Sequence, residues 1–187
     1  MSPKVKQIFI PTVTLTLICL IITGLLAVTN DITADKIAQQ NAEAAAASRL
    51  EVLPGAADFE EKQEGDVTYY IGKDQSGQDV GYVFTTAAAG YGGDVEVMTG
   101  IGTDGVVTGV TILSHSETPG LGAKADDPSF TDRYKKAVPD GGFVVKKGSA
   151  SADNEVAAIT GATITSTAVT NAVNEAVELY SQVKGGQ

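Results

Sequence analysis

The chain has 187 residues, 23 acidic against 13 basic side chains, a formal net charge of −10, one cysteine and one histidine. That length suits one membrane anchor and one domain of ordinary size, and so acidic a chain does not grip nucleic acid through its phosphates. With Cys19 and His115 alone in their classes, a disulfide framework, a Cys-x-x-Cys redox pair, a Cys-ligated iron–sulfur cluster and an imidazole-thiolate metal site all lack their groups, so any redox chemistry falls to an organic cofactor.

The first element is "IFIPTVTLTLICLIITGLLAV", Ile8 to Val28, 21 residues without a charge. About 20 such residues cross a bilayer core, and Pro11 near the start is tolerable there. Lys4 and Lys6 precede the run, and Asp31 and Asp35 follow it. The positive-inside rule then predicts residues 1–7 in the cytoplasm and the remainder outside, an inner-membrane protein with one span. A cleaved signal peptide is the rival reading. The run is long for one, and "LLAVTN" is a poor small-x-small cleavage site. Residues 31–50 read as an Ala-rich helix with Ile32, Ala38, Ala42 and Ala45 on one face, inside a connector spanning 29–54. "LPGA" at 53–56 ends it, because Pro54 and Gly55 do not continue a helix.

The remaining residues, 55–187, read as one extracytoplasmic domain. "DVTYYIG" (66–72) and "DVGYVFTTAAAG" (79–90) are β-branched and aromatic strands parted by "KDQSG". Residues 93–115 read as a hairpin turning at Asp104-Gly105. Val95, Val97 and Thr99 alternate with Asp94, Glu96 and Met98 on the way out, and Val106, Thr108, Val110 and Ile112 return. A short helix is predicted over 127–138, with Phe130 and Tyr134 one turn apart, then a short strand at 142–147. From Ala168 to Tyr180, Ala168, Ala172 and Ala176 form one row and Val169, Val173 and Val177 its neighbour, an amphipathic helix. The fold class is α+β, an antiparallel sheet packed by a few helices.

Two stretches stand out chemically. In "HSETPGLGAK" (115–124), Pro119-Gly120 fits the centre of a type II turn, and Gly122 adds room for a bulky or flat ligand to approach. On local physics alone this is more simply a turn leaving a strand, and His115 a hydrogen-bonded structural histidine. In "TGATITS" (160–166), the hydroxyls of Thr160, Thr163, Thr165 and Ser166 crowd the start of the last helix, where one would suffice as a cap. Gly161 and Ala162 leave little bulk beside Thr163, and free N–H groups with the positive end of a helix dipole suit a phosphate. A plain cap with surplus threonines is again the simpler local reading.

"GYGGDVEVMTGIGTDGVVTGVTILSHSETPGLGAK" followed by "ITGATITS" resembles the FMN-binding domain of G subunits from Rnf-type ion-translocating ferredoxin:NAD⁺ oxidoreductases, and is similar to the usually longer C subunits of sodium-pumping NADH:quinone reductases. The resemblance runs from the apolar segment and "VLPGA" to the last helix. It implies FMN joined through its phosphate to Thr163, attached by a separate flavin transferase that uses FAD and Mg²⁺. Ala157 stands where the family motif commonly has Asp. Beside Thr163, the candidate cofactor-binding residues are Thr160, Gly161, Ala162, Thr165 and Ser166. From the loop they are His115, Glu117, Thr118, Pro119, Gly120, Leu121, Gly122 and Lys124. No residue is read as catalytic or as a metal ligand. The implied protein is an electron-carrying component of a translocase complex, with other membrane subunits as partners and no catalysis alone. An anchored flavin-binding sensor is the alternative from another class. A hydrolase using Thr163 as nucleophile lacks a base, the sole histidine lying in another motif.

Overall fold

The structure is a computed structural model describing residues 3–65 and 67–185, with side chains from residue 7 onward. The side chains of Lys4 and Lys6, Asp66 at the start of the expected strand 66–72, and Gln187 lie outside the described residues. The chain falls into two units, Met1–Ala44 and Ala45–Gln187.

The first unit is helical. Helix α1 runs unbroken over Pro3–Val52, with Pro11 inside it. It is the helix long and apolar enough to cross a membrane among the described residues. Its large apolar side chains from Ile8 to Val28 are exposed, as is Ile32. The hydroxyls of Thr12 and Thr14 donate back to the carbonyls of Ile8 and Ile10, at 2.8 and 2.9 Å. These two hydroxyls are thus satisfied within the helix, as an apolar environment demands.

The second unit is built on a five-stranded antiparallel sheet in the order β1 (Asp58–Glu64), β2 (Val67–Lys73), β3 (Asp79–Ala89), β4 (Asp94–Gly102), β5 (Val107–Ser114). Four of these strands, β2 to β5, and the turn at Asp104-Gly105 stand where the sequence places them, and the domain is α+β. β1, "DFEEKQE", was not expected. It is a charged edge strand, with Glu60 paired to Lys62 and, at 2.6 Å, to Lys73. Charge of this kind blunts an edge against pairing with other chains.

The expected alternation along β4 is also incomplete. Val95, Val97 and Thr99 are buried, but so is Met98 from the other row. The sheet is covered on both faces. Helix α3 (Thr163–Gly185) packs on one through Ala168, Val169, Ala172, Val173 and Ala176. The last turn of α1, with Leu53 and Ala56 behind it, packs on the other against Val83 and Met98. Gly100 and Gly109, paired across β4 and β5, let the backbone of Val52 lie on the sheet, and the Thr108 hydroxyl donates to the Val52 carbonyl.

The stretch 127–138 is helical only in part. Helix α2 covers Pro128–Thr131 and a 3₁₀ turn covers Asp132–Tyr134. Beyond it the chain straightens, so that Lys136 accepts from the Val107 N–H at 3.1 Å and Ala137 bridges Val106. The open edge of β5 takes this segment as a partner, while Phe130 and Tyr134 are buried as the spacing predicts. The expected strand at 142–147 is β6 (Val144–Lys146). It pairs in parallel with an unexpected β7 (Glu155–Ala157), outside the main sheet.

Candidate functional site

Two β-turns face one another at the start of α3. In the first, Leu121 N–H donates to Thr118 O at 3.1 Å, with Pro119 and Gly120 (φ 79°) between. In the second, Ala162 N–H donates to Ile159 O at 3.0 Å, with Thr160 and Gly161 (φ 80°) between. Both glycines sit where an L side chain is strained, as the third position of a type II turn requires. The turns meet: a Cβ on Gly161 would lie 3.3 Å from Leu121 Cδ2. Between them opens a cleft of about 520 Å³, lined by Tyr91, Glu117, Thr118, Leu121, Gly122, Gly161, Ala162, Thr163, Ile164 and Thr165. Tyr91, Ile164 and Leu121 remain 72%, 55% and 47% exposed, an apolar rim without a partner.

Glu117 ties the cleft together. It is 6% exposed, the one charged residue buried among those described. Its Oε1 accepts the N–H groups of Tyr91 (2.7 Å) and Gly92 (3.1 Å), and its Oε2 accepts the Thr165 hydroxyl at 2.7 Å. One carboxylate thus joins the Gly-Tyr-Gly-Gly loop, its own loop and the first turn of α3. Room for it depends on missing side chains. A Cβ on Gly90 would strike Oε1, one on Gly122 would strike Oε2, and one on Gly92 would strike the Ser116 carbonyl. Burial pushes the Glu117 pKa up, but the hydrogen bonds from Thr165, Gly92 and Tyr91 outweigh it and hold the carboxyl below its ordinary value.

The hydroxyl run divides sharply. Thr165 turns inward to Glu117. Ser166 is fully buried, accepts from Ile159 N–H at 3.0 Å and donates to Ala162 O at 2.9 Å. Thr167 and Thr170 donate to the carbonyls four residues back. These bonds are compatible with helix, so α3 begins at Thr163 rather than at Ala168. Thr160 and Thr163 make no side-chain hydrogen bond among the described residues, and Thr163 occupies the first position of α3, half-buried. A second cleft of about 510 Å³ opens on its far side, lined by Arg133, Lys147, Gly148, Ser149, Thr160, Gly161 and Thr163 with residues 157–159.

Of the expected site residues, Glu117, Thr118, Leu121, Gly122, Ala162 and Thr165 line the first cleft, Thr160 lines the second, and Gly161 and Thr163 border both. Pro119, Gly120, His115, Lys124 and Ser166 line neither. His115 braces the loop from behind: Nδ1 accepts the Glu117 N–H at 3.0 Å, and Nε2 donates to Asp126 Oδ2 at 2.9 Å. Sequence reasoning did not name Tyr91, Ile164, Arg133 or Lys147. An aromatic between glycines, and an isoleucine off the Ala/Val rows of the last helix, are the signals that mark the first two.

Comparison with known proteins supplies the context. Residues 90–178 match the family described as FMN-binding domain, and residues 1–52 that described as RnfG N-terminal region. The G subunit of the Na(+)-translocating ferredoxin:NAD(+) oxidoreductase complex of Acetobacterium woodii is 43% identical over 176 residues, covering 84% of each chain. The G subunit of the proton-translocating ferredoxin:NAD(+) oxidoreductase complex of Clostridium ljungdahlii is 37% identical over 182 residues, covering 97% of this chain and 96% of that one. Among solved structures, the crystal structure of Shewanella oneidensis NqrC matches at 21% identity and a TM-score of 0.49, covering 67% of this chain and 65% of that one. Matched from its apolar helix through the loop and turn that build the cleft, and to G subunits over nearly their whole length, the chain belongs to the G-subunit family of ion-translocating oxidoreductase complexes.

Proposed function

We propose that this chain is the flavin-carrying electron-transfer subunit of a membrane-bound ferredoxin:NAD⁺ oxidoreductase, with one FMN held by a phosphoester to Thr163. One observation carries the attachment point. In a run of hydroxyls turned into the fold, Thr163 keeps its own unengaged, half-buried, and on the border of two clefts. The residues present fit the cofactor. The first cleft, about 520 Å³, lies within the range of about 300–1,000 Å³ usual for small-molecule sites. Its exposed Tyr91, Leu121 and Ile164 offer apolar surface to a flat ring. When bound, FMN supplies the capacity to take up and pass on electrons. The chain's residues hold the ring, shield one side of it and leave the cleft mouth open to the next carrier.

Residues 8–28 are assigned to the membrane, 29–54 to a connector and 55–187 to the extracytoplasmic flavin domain, with other subunits of the complex as partners and a flavin transferase acting during maturation. Near full-length similarity to G subunits favours that position over the C-type component of a sodium-pumping quinone reductase. The test is co-expression with a flavin transferase, followed by a denaturing gel under ultraviolet light. The parent is expected to give a fluorescent band with the mass of FMN on the peptide containing Thr163, and Thr163→Ala none. A fluorescent Thr163→Ala band would place the bond elsewhere.

A further inference from the structure

We propose that the second cleft is an anion subsite in which Arg133 and Lys147 hold the phosphodiester carried by Thr163; this rests on the reading of Thr163 as the attachment point. A phosphate esterified both to Thr163 and to the flavin's ribityl chain keeps one negative charge. Thr163 borders two clefts, and they differ in sign. The first holds the buried carboxylate of Glu117, which is kept ionised by its hydrogen bonds and repels an anion. The second presents two cations and no Asp or Glu, in a chain with 23 acidic and 13 basic residues.

Arg133 is placed for this task. Its Nε donates to Ser129 O at 2.8 Å and its Nη1 donates to Ala157 O, so the guanidinium is fixed by two backbone carbonyls. It makes no ion pair among the described residues. Two of its five N–H donors are spent on those carbonyls, and the others are available to phosphate oxygens. Glu155, on the strand that ends at the cleft, is occupied. It is taken by Lys146 at 2.9 Å and by the Ser151 and Ala152 N–H groups, and Lys147 makes no ion pair among the described residues. The two clefts thus divide the cofactor: the ring goes to the apolar side of Thr163 and its charged link to the basic side.

The experiment is ³¹P NMR of the full chain in detergent, carrying attached FMN, beside Lys147→Glu, Arg133→Lys and Lys124→Gln. Lys147 is exposed and makes no side-chain hydrogen bond or ion pair among the described residues, so its reversal chiefly changes the charge. The phosphorus resonance is expected to move in Lys147→Glu and in Arg133→Lys, and to stay at the parent position in Lys124→Gln, which lies on neither cleft. A resonance present on Thr163 but unmoved by either cleft variant overturns the subsite and leaves the attachment standing. No phosphorus on Thr163 in the parent overturns both.

Discussion

Glu117 shows how much can depend on one carboxylate. Its three hydrogen-bond donors come from residues 25, 26 and 48 positions away along the chain, and each loses its partner if the acid is removed. Hydrogen bonds to a charged group contribute roughly 1.5–3 kcal/mol each, and an orphaned buried donor costs about as much. Glu117→Gln, which must turn an amide N–H₂ toward one of those donors, is expected to lower stability by about 1–3 kcal/mol at neutral pH. The folded-state pKa lies below the ordinary 4.5, so this contribution is complete above about that pH and is lost as the pH falls through the folded value. Urea unfolding of parent and variant in detergent at pH 7 and near pH 4 checks it, the gap between them narrowing in acid. A gap that does not change with pH removes the ionised carboxylate from the account. The sequence places Glu117 in a notable loop but gives no sign of this role, because two of its partners are backbone N–H groups that no side-chain pattern announces. The hydroxyl-rich motif that contains Thr163 stands out for the opposite reason, since it is local and contiguous.

At the scale of elements, periodicity located those that bury one clean face and missed those held by an edge. β2 to β5 and α3 were visible in their apolar rows. β1 is polar on nearly every position and exists because β2 offers it an edge. β7 is three residues long and exists because β6 does. The end of the 127–138 segment went to the β5 edge instead of continuing a helix. The contact of Val52 with the sheet was equally hidden, although Gly100 and Gly109 are its sequence trace. A Cβ on Gly109 would stand 2.6 Å from Val52 Cα, against backbone that cannot rotate aside. Gly109→Ala is therefore expected to destabilise the second unit by about 1–3 kcal/mol. Gly55→Ala, where nothing lies within 4 Å, should stay within about 0.5 kcal/mol of the parent. Urea midpoints of both variants against the parent decide it, and equal midpoints would mean the helix end does not bear on the sheet.

For the whole molecule the governing asymmetry is one of charge. Lys4 and Lys6 lie before the 21 uncharged residues, Asp31 and Asp35 after them, and the chain as a whole carries −10. The positive-inside rule then expects the second unit on the outer side of the membrane. Protease added to intact spheroplasts or protoplasts should remove residues 45–187 from an otherwise protected stub, as followed with an antibody to the C-terminal helix. Digestion only after the membrane is broken would reverse the orientation. Electron traffic through the bound flavin would then meet its partners on the cytoplasmic side.

The packing around Glu117 also sets how little this part of the sequence can change. Alanine at position 90 or 122 collides with a carboxylate oxygen, yet a shorter side chain at 117 clears neither: position 90 also meets the Gly93 carbonyl at 2.9 Å and Val95 Cγ2 at 2.8 Å, and position 122 meets Thr165 Oγ1 at 2.7 Å and Glu117 Cβ at 2.9 Å. Position 92 is the most tightly closed, since its obstacle is the Ser116 carbonyl and no substitution clears a backbone atom. A combinatorial library that varies these sites one at a time will therefore record three intolerant glycines. One that varies them together with position 117 will find all three still intolerant, because shortening the acid leaves a second obstacle at each.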